Sequence, residues 1–359
     1  MAHSSTKLLV AASGTGGHLF PALATAEELR QAHYSLEWLG VPNRLEISLV
    51  PAHFPLHTVA MAGLQGRPGL GTAKLLSQFG RATLKVRRLL KQGNFSGVLT
   101  TGGYIAAPAI LAARSLGLPT ILHESNALPG KVTRWLSPWC TAVALGFEAA
   151  QAYLPKARTV VVGTPVRADF LAPEPPTLAE PAIPAEAPLI LIVGGSQGAV
   201  AVNQLVRAAA PAWIEAGAWV IHQTGSNDPN ADAFSHPQYI HQPFFDTMAA
   251  LLYRANLAIG RAGAGTLTEL AVTQTPSILI PYPFAADDHQ TFNARVFSEA
   301  GAALLLPQAT LTPQSLQHQV LDLLSQPHQL AEMAASTGRL ATQDSAQRLA
   351  SLVQKIIEE

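Results

Sequence analysis

Short apolar runs rich in Val, Ile, Leu and Ala alternate along the chain with longer stretches of helical period. Lys7–Ala12 predicts a strand, followed by a glycine-rich turn and a helix over residues 20–32. Further strands are predicted at 36–39, 97–101, 120–123, Ala142–Leu145 and 159–162. A proline-rich stretch at 172–188 interrupts the series. It restarts with Leu189–Val193, a second glycine-rich turn, Trp219–Gln223, 257–259 and 277–281. Strands that alternate with helices imply parallel sheets covered by helices. Two such units, each opening with strand, glycine loop and helix, predict an α/β chain of two Rossmann-like domains facing a cleft. The expected boundaries are 1–165, 166–340 and a closing helix within 341–359. In that last segment Ala346, Leu349, Val353 and Ile356 share one helical face, which is expected to pack back on the first domain.

With 359 residues, 48% of them hydrophobic, the chain can bury two cores of ordinary size. A single cysteine, Cys140, excludes an intramolecular disulfide framework and any multi-cysteine metal site. Residues 1–12 show no basic segment followed by an apolar run, so no signal peptide is expected. Gly, Pro or polar residues interrupt every apolar stretch before it reaches the length of a membrane span. The formal net charge of zero conceals an asymmetry. Residues 1–165 hold 15 Lys and Arg against 6 Asp and Glu, and residues 166–359 hold 8 against 17, giving +9 and −9. A basic half points to an anionic surface as partner, or to two domains that attract each other. Nucleic acid is not expected, because no RNA- or DNA-binding motif accompanies the charge.

Three glycine-rich loops carry the candidate chemistry. The first, Ser13-Gly14-Thr15-Gly16-Gly17-His18, follows a strand and precedes a helix, where backbone N–H groups approach an anion closely. It lacks the Lys-Ser/Thr of a phosphate-binding P-loop and, with Leu19 in the last place, the full G-x-G-x-x-G dinucleotide pattern. Glu37 keeps a dinucleotide reading open, although a ribose-binding acid belongs at a strand's end and Glu37 precedes Trp38 and Leu39 within one. The second loop, Gly194-Gly195-Ser196-Gln197-Gly198-Ala199, opens the second domain in the equivalent place. Glycine serves tight strand–helix packing there as readily as ligand approach. The third, residues 260–269, sets small residues before a helix and puts Glu269 near its first turn. A carboxylate there suits ribose hydroxyls, or simply the positive end of the helix dipole.

Seven motifs then occur in a fixed order: SGTGGHLFPALA at 13–24, GGY at 102–104, HESN at 123–126, GTPVR at 163–167, VGGSQGA at 193–199, RAGAGTLTE at 261–269 and DDHQTFNA at 287–294. Together they resemble the MurG family within glycosyltransferase family 28, which transfers N-acetylglucosamine from its UDP ester to a lipid-linked muramyl sugar. The resemblance runs from the first strand to about residue 306. It implies the GT-B fold, a donor site mainly in the second domain, and inversion at the anomeric carbon. It further implies that Thr15, Gly16 and Gly17 approach the donor from the first domain. Asn126 would contact the N-acetylglucosamine moiety, and Arg167 and Ser196 the diphosphate. Phe245 would make a backbone contact to uracil, Glu269 would hold the ribose, and Gln290 the sugar hydroxyls. Arg261 is expected either at the donor phosphates or paired within its own domain. Thr164 and Ser125 stand where many members have Asn and Gln.

Inverting transfer needs a base for the acceptor hydroxyl and stabilisation of the leaving diphosphate. His18 is the first candidate base, since histidine titrates near neutral pH. Its alternative role is to fix the loop by hydrogen bonding. His123 and Glu124 are next, and Tyr104 is either an acceptor-side residue or the anchor of a turn. No Asp-x-Asp pair of the metal-binding kind occurs, so neither a metal nor another cofactor is expected. The expected partners are UDP-N-acetylglucosamine, lipid I and an anionic membrane surface, the protein sitting peripherally on the cytoplasmic face of the bacterial plasma membrane. Residues 74–92 bear on that surface. Leu75, Phe79, Ala82, Val86 and Leu89 form an apolar seam, with Lys74, Arg81, Lys85 and Arg88 elsewhere on the cylinder. Such a segment is either a domain helix facing its core or an interfacial helix on anionic lipid, and the basic half favours the second. The alternatives to a transferase are an NAD-dependent dehydrogenase, a UDP-N-acetylglucosamine 2-epimerase and a non-catalytic nucleotide-sugar-binding module.

Overall fold

Leu189–Val193 is buried at every position, and Lys7–Ala12 at every position but its first, as strands covered on both faces must be. The computed structural model describes residues 6–61, 70–172, 174, 177–178, 183–195 and 197–359. The chain divides into two compact units, one formed by Met1–Arg167 with Thr342–Glu359 and the other by Ala168–Ala341.

The first unit is a seven-stranded sheet, every pair parallel. Its strands are β1 (Lys7–Ala12), β2 (Ser35–Gly40), β3 (Leu56–Thr58), β4 (Gly97–Gly102), β5 (Thr120–Glu124), β6 (Ala142–Leu145) and β7 (Thr159–Val161), in the order β3-β2-β1-β4-β5-β6-β7. The helices are α1 (Gly16–Gln31), α2 (Glu46–Leu49), α3 (Leu70–Gln92), α4 (Ala106–Ser115) and α5 (Lys131–Leu136). Alternation along β1 supplies both faces of the sheet. Leu8, Val10 and Ala12 pack with Leu19, Ala22, Ala26 and Leu29 of α1, whereas Leu9 and Ala11 pack with Ala82, Val86 and Leu90 of α3 and with Ile105, Ala109 and Ala112 around α4.

The second unit repeats the design with six parallel strands. These are β8 (Leu189–Val193), β9 (Trp219–Gln223), β10 (Tyr239–Gln242), β11 (Leu257–Gly260), β12 (Ser277–Leu279) and β13 (Ala303–Leu305), in the order β10-β9-β8-β11-β12-β13. Around them lie α6 (Val200–Glu215), α7 (Met248–Arg254), α8 (Ala264–Thr273), α9 (His289–Glu299), α10 (Pro313–Leu324) and α11 (Pro327–Arg339). The last helix, α12 (Ser345–Glu358), belongs to the first unit. Its Leu349, Val353 and Ile356 are buried in the same cluster as α1, and Gln347 Nε2 donates to Glu28 Oε1 at 2.6 Å.

In each sheet the chain starts in the middle, runs outward, and returns to the other side of its first strand. The order therefore reverses between β1 and β4, and again between β8 and β11. Crevices at such reversal points, outside the carboxyl ends of the strands, are where open α/β sheets bind ligands. The glycine loops lie at these points.

Three details differ from the sequence expectation. Helix α1 begins at Gly16 rather than at residue 20, because Thr15 is an extended cap whose carbonyl receives the His18 and Leu19 amides. Short β3, β10 and β13 were not predicted. The seam on α3 turns inward: Ala82 and Val86 are buried, and Phe79 and Leu89 pack against the same core. Phe79 thus faces the core rather than a lipid surface, while Leu75 is half-buried. Leu76 and Leu84, 60% and 55% exposed, stand on its outer surface beside exposed Arg81, Lys85 and Arg88. The side chain of Lys74 and the 62–69 stretch lie outside the described residues.

Candidate active site

In the first unit the site is built at the ends of β1 and β4. Gly14 takes φ +102°, a conformation open to glycine, and turns the chain into α1. Thr15 and Gly17 are exposed, while a Cβ on Gly16 would lie 2.7 Å from the Phe20 ring. Gly16 thus leaves room for the Phe20 ring. The guanidinium of Arg167, also in the first unit, lies 5.0 Å above that same ring.

His18 stands in the first turn of α1 with its Nδ1 at 2.9 Å from the Thr101 carbonyl oxygen, while the Thr101 hydroxyl donates to the His18 carbonyl at 2.7 Å. A carbonyl only accepts, so Nδ1 carries the hydrogen and Nε2 of the neutral ring carries the lone pair. Gly102, at φ +114°, follows from the contact: a Cβ there would lie 2.6 Å from His18 Nδ1. Gly103 packs as closely on Ser13, where a Cβ would lie 2.1 Å from the carbonyl oxygen. Tyr104 is half-buried against the core, with the Arg44 guanidinium 5.6 Å over its ring.

His123 and Glu124 come out differently from the expectation that either is a base. His123 is 1% exposed, its Nε2 donates to the Gly163 carbonyl at 2.9 Å, and its Nδ1 faces the Ser125 hydroxyl at 3.4 Å. Burial holds its pKa below the ordinary value, so it stays neutral. Glu124 is 6% exposed and accepts four hydrogen bonds, from the Asn126 amide, Asn126 Nδ2, the Gly130 amide and the Thr133 hydroxyl. A carboxylate so occupied has no lone pair for a substrate proton. It shapes the turn after β5 and aligns Asn126, whose Nδ2 it holds at 2.9 Å. Of the two departures from the family pattern, Ser125 serves His123. Thr164 is buried beside Gly146, and its hydroxyl has no partner among the described residues.

The second unit carries its candidate residues around β8, β9 and β11. Gly195 and Gly198 take φ +73° and +87°. Gly225 lies so close that a Cβ on it would be 2.1 Å from the Gly198 amide nitrogen. Ser196 lies outside the described residues. Behind this loop sits a network that the sequence reading missed. Asn203 Nδ2 donates to the Thr224 carbonyl and to Asp228 Oδ2, both at 2.8 Å. Arg207 Nη1 meets the same Asp228 oxygen at 2.7 Å, with both side chains buried. His222 Nε2 then donates to Asn203 Oδ1 at 3.0 Å, and His222 Nδ1 accepts from the Tyr239 hydroxyl at 2.6 Å. Burial pushes His222 down to about 3 and raises the Tyr239 phenol, so both are neutral. Burial alone would raise Asp228, but hydrogen bonds from Arg207 and Asn203 outweigh it and hold the carboxyl below the ordinary value. No periodicity marks these residues; only the fold brings them together.

Glu269 is half-buried on α8, which starts at Ala264, so it sits in the second turn and not the first. Arg261 donates to the carbonyls of Ile280 and Pro281, each at 3.0 Å, and to Gln308 Oε1 at 2.6 Å, with its guanidinium 5.3 Å over Tyr282. Those bonds give it the role of a brace within its own unit. The braced loop leads to Gln290, whose Oε1 accepts from the Tyr282 amide at 2.9 Å. With its oxygen committed, Gln290 offers a ligand an N–H donor. Phe245 is buried, and its amide donates to Gln223 Oε1 at 3.3 Å. Among the described residues no group of three or more His, Cys, Asp or Glu is arranged to hold a metal ion.

Twin parallel sheets of this order, each with a glycine loop at its reversal point, place the chain among glycosyltransferases of the GT-B fold. Residues 8–145 match the glycosyltransferase family 28 N-terminal domain, and residues 189–349 match the family 28 C-terminal domain. The chain belongs to glycosyltransferase family 28. It is 61% identical over 358 residues to the UDP-N-acetylglucosamine–N-acetylmuramyl-(pentapeptide) pyrophosphoryl-undecaprenol N-acetylglucosamine transferase of Nostoc sp. (strain PCC 7120 / SAG 25.82 / UTEX 2576), with all of both chains covered. The protein of the same name from Trichormus variabilis (strain ATCC 29413 / PCC 7937) is likewise 61% identical, with all of both chains covered. Among solved structures, the crystal structure of Acinetobacter baumannii MurG superposes with a TM-score of 0.76 at 32% identity, over 98% of this chain and 99% of that one.

Proposed function

We propose that this glycosyltransferase moves N-acetylglucosamine from UDP-N-acetylglucosamine to the muramyl sugar of undecaprenyl-pyrophosphoryl-MurNAc-pentapeptide, with inversion at the anomeric carbon. The observation that carries the reading is the 61% identity, end to end, to transferases named for that reaction. In the reaction the acceptor oxygen forms a bond to the anomeric carbon as the bond from that carbon to the diphosphate breaks, its electron pair leaving with UDP. The acceptor proton goes to Nε2 of His18, the nitrogen left basic by the bond from Nδ1 to Thr101. Asn126 contacts the N-acetylglucosamine moiety. Thr15, Gly16 and Gly17 approach the donor, and Arg167 and Ser196 act on its diphosphate. In the second unit Glu269 holds the ribose, the Phe245 backbone meets uracil, and Gln290 donates to a sugar hydroxyl.

The first unit also meets an anionic membrane surface on the cytoplasmic side. Among the described residues no helix is long and apolar enough to cross a membrane. The outer surface of α3 pairs exposed Leu76 and Leu84 with Arg81, Lys85 and Arg88, and Trp135 and Trp139 are 70% and 48% exposed. Apolar groups beside cations, and exposed tryptophans, each suit a lipid headgroup region. Transfer of labelled N-acetylglucosamine to a lipid I analogue, run with EDTA, tests the reaction. Labelled disaccharide-lipid is expected; donor binding without product would replace a transferase with a binding module.

A further inference from the structure

Glu46 is a carboxylate with no exposure to solvent, lying beneath the first glycine loop. Its Oε1 accepts the Val41 amide at 2.7 Å, and its Oε2 accepts the Gly14 amide at 3.3 Å. It enters from the one-turn helix α2, and its stem lies against Gly40, where a Cβ would come within 2.6 Å of Glu46 Cγ. Both oxygens are thus satisfied by backbone N–H groups, one at the end of β2 and one at the root of the loop after β1. A buried polar group is costly unless hydrogen-bonded in this way, so losing either contact leaves a buried acceptor or amide unmet.

Gly14 is where the loop turns, at φ +102°. The next residue, Thr15, caps α1 with its carbonyl and receives the His18 amide at 3.0 Å. His18 therefore has two supports: Thr101 fixes its ring, and the anchored loop fixes its backbone. We propose that Glu46 is a positioning residue for transfer, setting the place of His18 by holding the Gly14 amide. The same contact decides what the loop receives. With the Gly14 N–H given to a carboxylate, that residue offers an anion no donor, and the loop root is suited to a group that gains a proton rather than to a phosphate.

This inference rests on His18 as the base of the proposed transfer. The test compares wild type, Glu46→Gln and Gly40→Ala by steady-state transfer kinetics and by amide hydrogen exchange of the 13–18 segment. Glu46→Gln keeps the size and sets an NH₂ group against a backbone N–H. Gly40→Ala displaces the Glu46 stem without touching the loop. Each is expected to lower kcat by about tenfold to a hundredfold, the scale set by misplacing a catalytic group. The KM for UDP-N-acetylglucosamine should rise less than kcat falls, because the loop shares the donor with Glu269 and Gln290 of the second unit, and exchange in 13–18 should quicken. Unchanged kcat in either folded variant, or a kcat loss with unaltered exchange, would overturn the proposal. A wild-type protein without turnover would instead sink the transfer reading, while the exchange rates still decide the loop contact.

Discussion

The loop after β1 and the loop after β8 occupy the same place in two sheets of one design, yet they rest on opposite chemistry. Beneath the first lies Glu46, whose oxygens are met by backbone amides. Behind the second lies Asp228, whose charge is met by Arg207 and Asn203. The first side chain is satisfied by backbone amides alone, with no cation beside it among the described residues. A carboxylate paired with a guanidinium leaves little net charge, so an incoming diphosphate is not repelled. On the function proposed above, the same fold serves a proton acceptor in one unit and a diphosphate in the other, with different groups under the two loops.

The comparison is broken most severely at His18. His18→Ala should lower kcat by about 10² to 10⁴, the range of general base catalysis, while the dissociation constant for UDP-N-acetylglucosamine stays within about twofold. Turnover within a few-fold of wild type would move the base elsewhere; a parallel loss of donor affinity would make His18 a binding residue.

The second unit should respond in stability. Asp228→Ala leaves the Arg207 cation buried without its partner, which costs about 3 kcal/mol or more. A folded variant with an unshifted chemical melt would show that the network is dispensable. The pH dependence follows from His222 and Asp228, both depressed in the folded state. A depressed group contributes stability above its unfolded pKa and loses it as pH falls through the folded value. For His222 the loss runs from about 6.5 down to about 3, and Asp228 adds its share below the ordinary carboxylate range. Melts should therefore weaken steadily on acidification through that window.

Much of the fold was legible because strands buried on both faces must be written as continuous apolar runs, and Leu189–Val193 and Ala142–Leu145 were read to the residue. The strands β3, β10 and β13 were missed because three or four residues such as Leu-His-Thr carry no period, and pairing in the sheet alone makes them strands. The glycine loops were visible because positive φ and close backbone approach leave few alternatives to glycine. The HESN motif was visible too, but its role was not. Burial turned His123 and Glu124 from candidate bases into turn-builders, and burial is a tertiary fact. Glu46, Asn203 and Asp228 were invisible for the same reason: each is one polar residue in an ordinary pattern whose partner arrives from a distant strand or loop.

The smallest expected effect concerns the outer surfaces of the units rather than their loops. The inward seam of α3 leaves Arg81, Lys85 and Arg88 exposed around Leu84 on a half of the chain with +9 formal charge, against −9 for the rest. Lys85 also donates to the Thr58 carbonyl at 3.0 Å, so it serves the fold as well as the field. Each cation near an anionic bilayer contributes about 1 kcal/mol, so replacing any one by Gln should weaken binding to phosphatidylserine vesicles about fivefold. The effect should shrink as salt rises, since these charges face water and are screened within about 10 Å at 0.1 M. Leu84→Ser should weaken binding at every salt concentration, because its contribution is apolar burial. Equal binding to neutral vesicles, or indifference to all three charge changes, would detach the charge asymmetry from the membrane and leave it to attraction between oppositely charged halves of the chain.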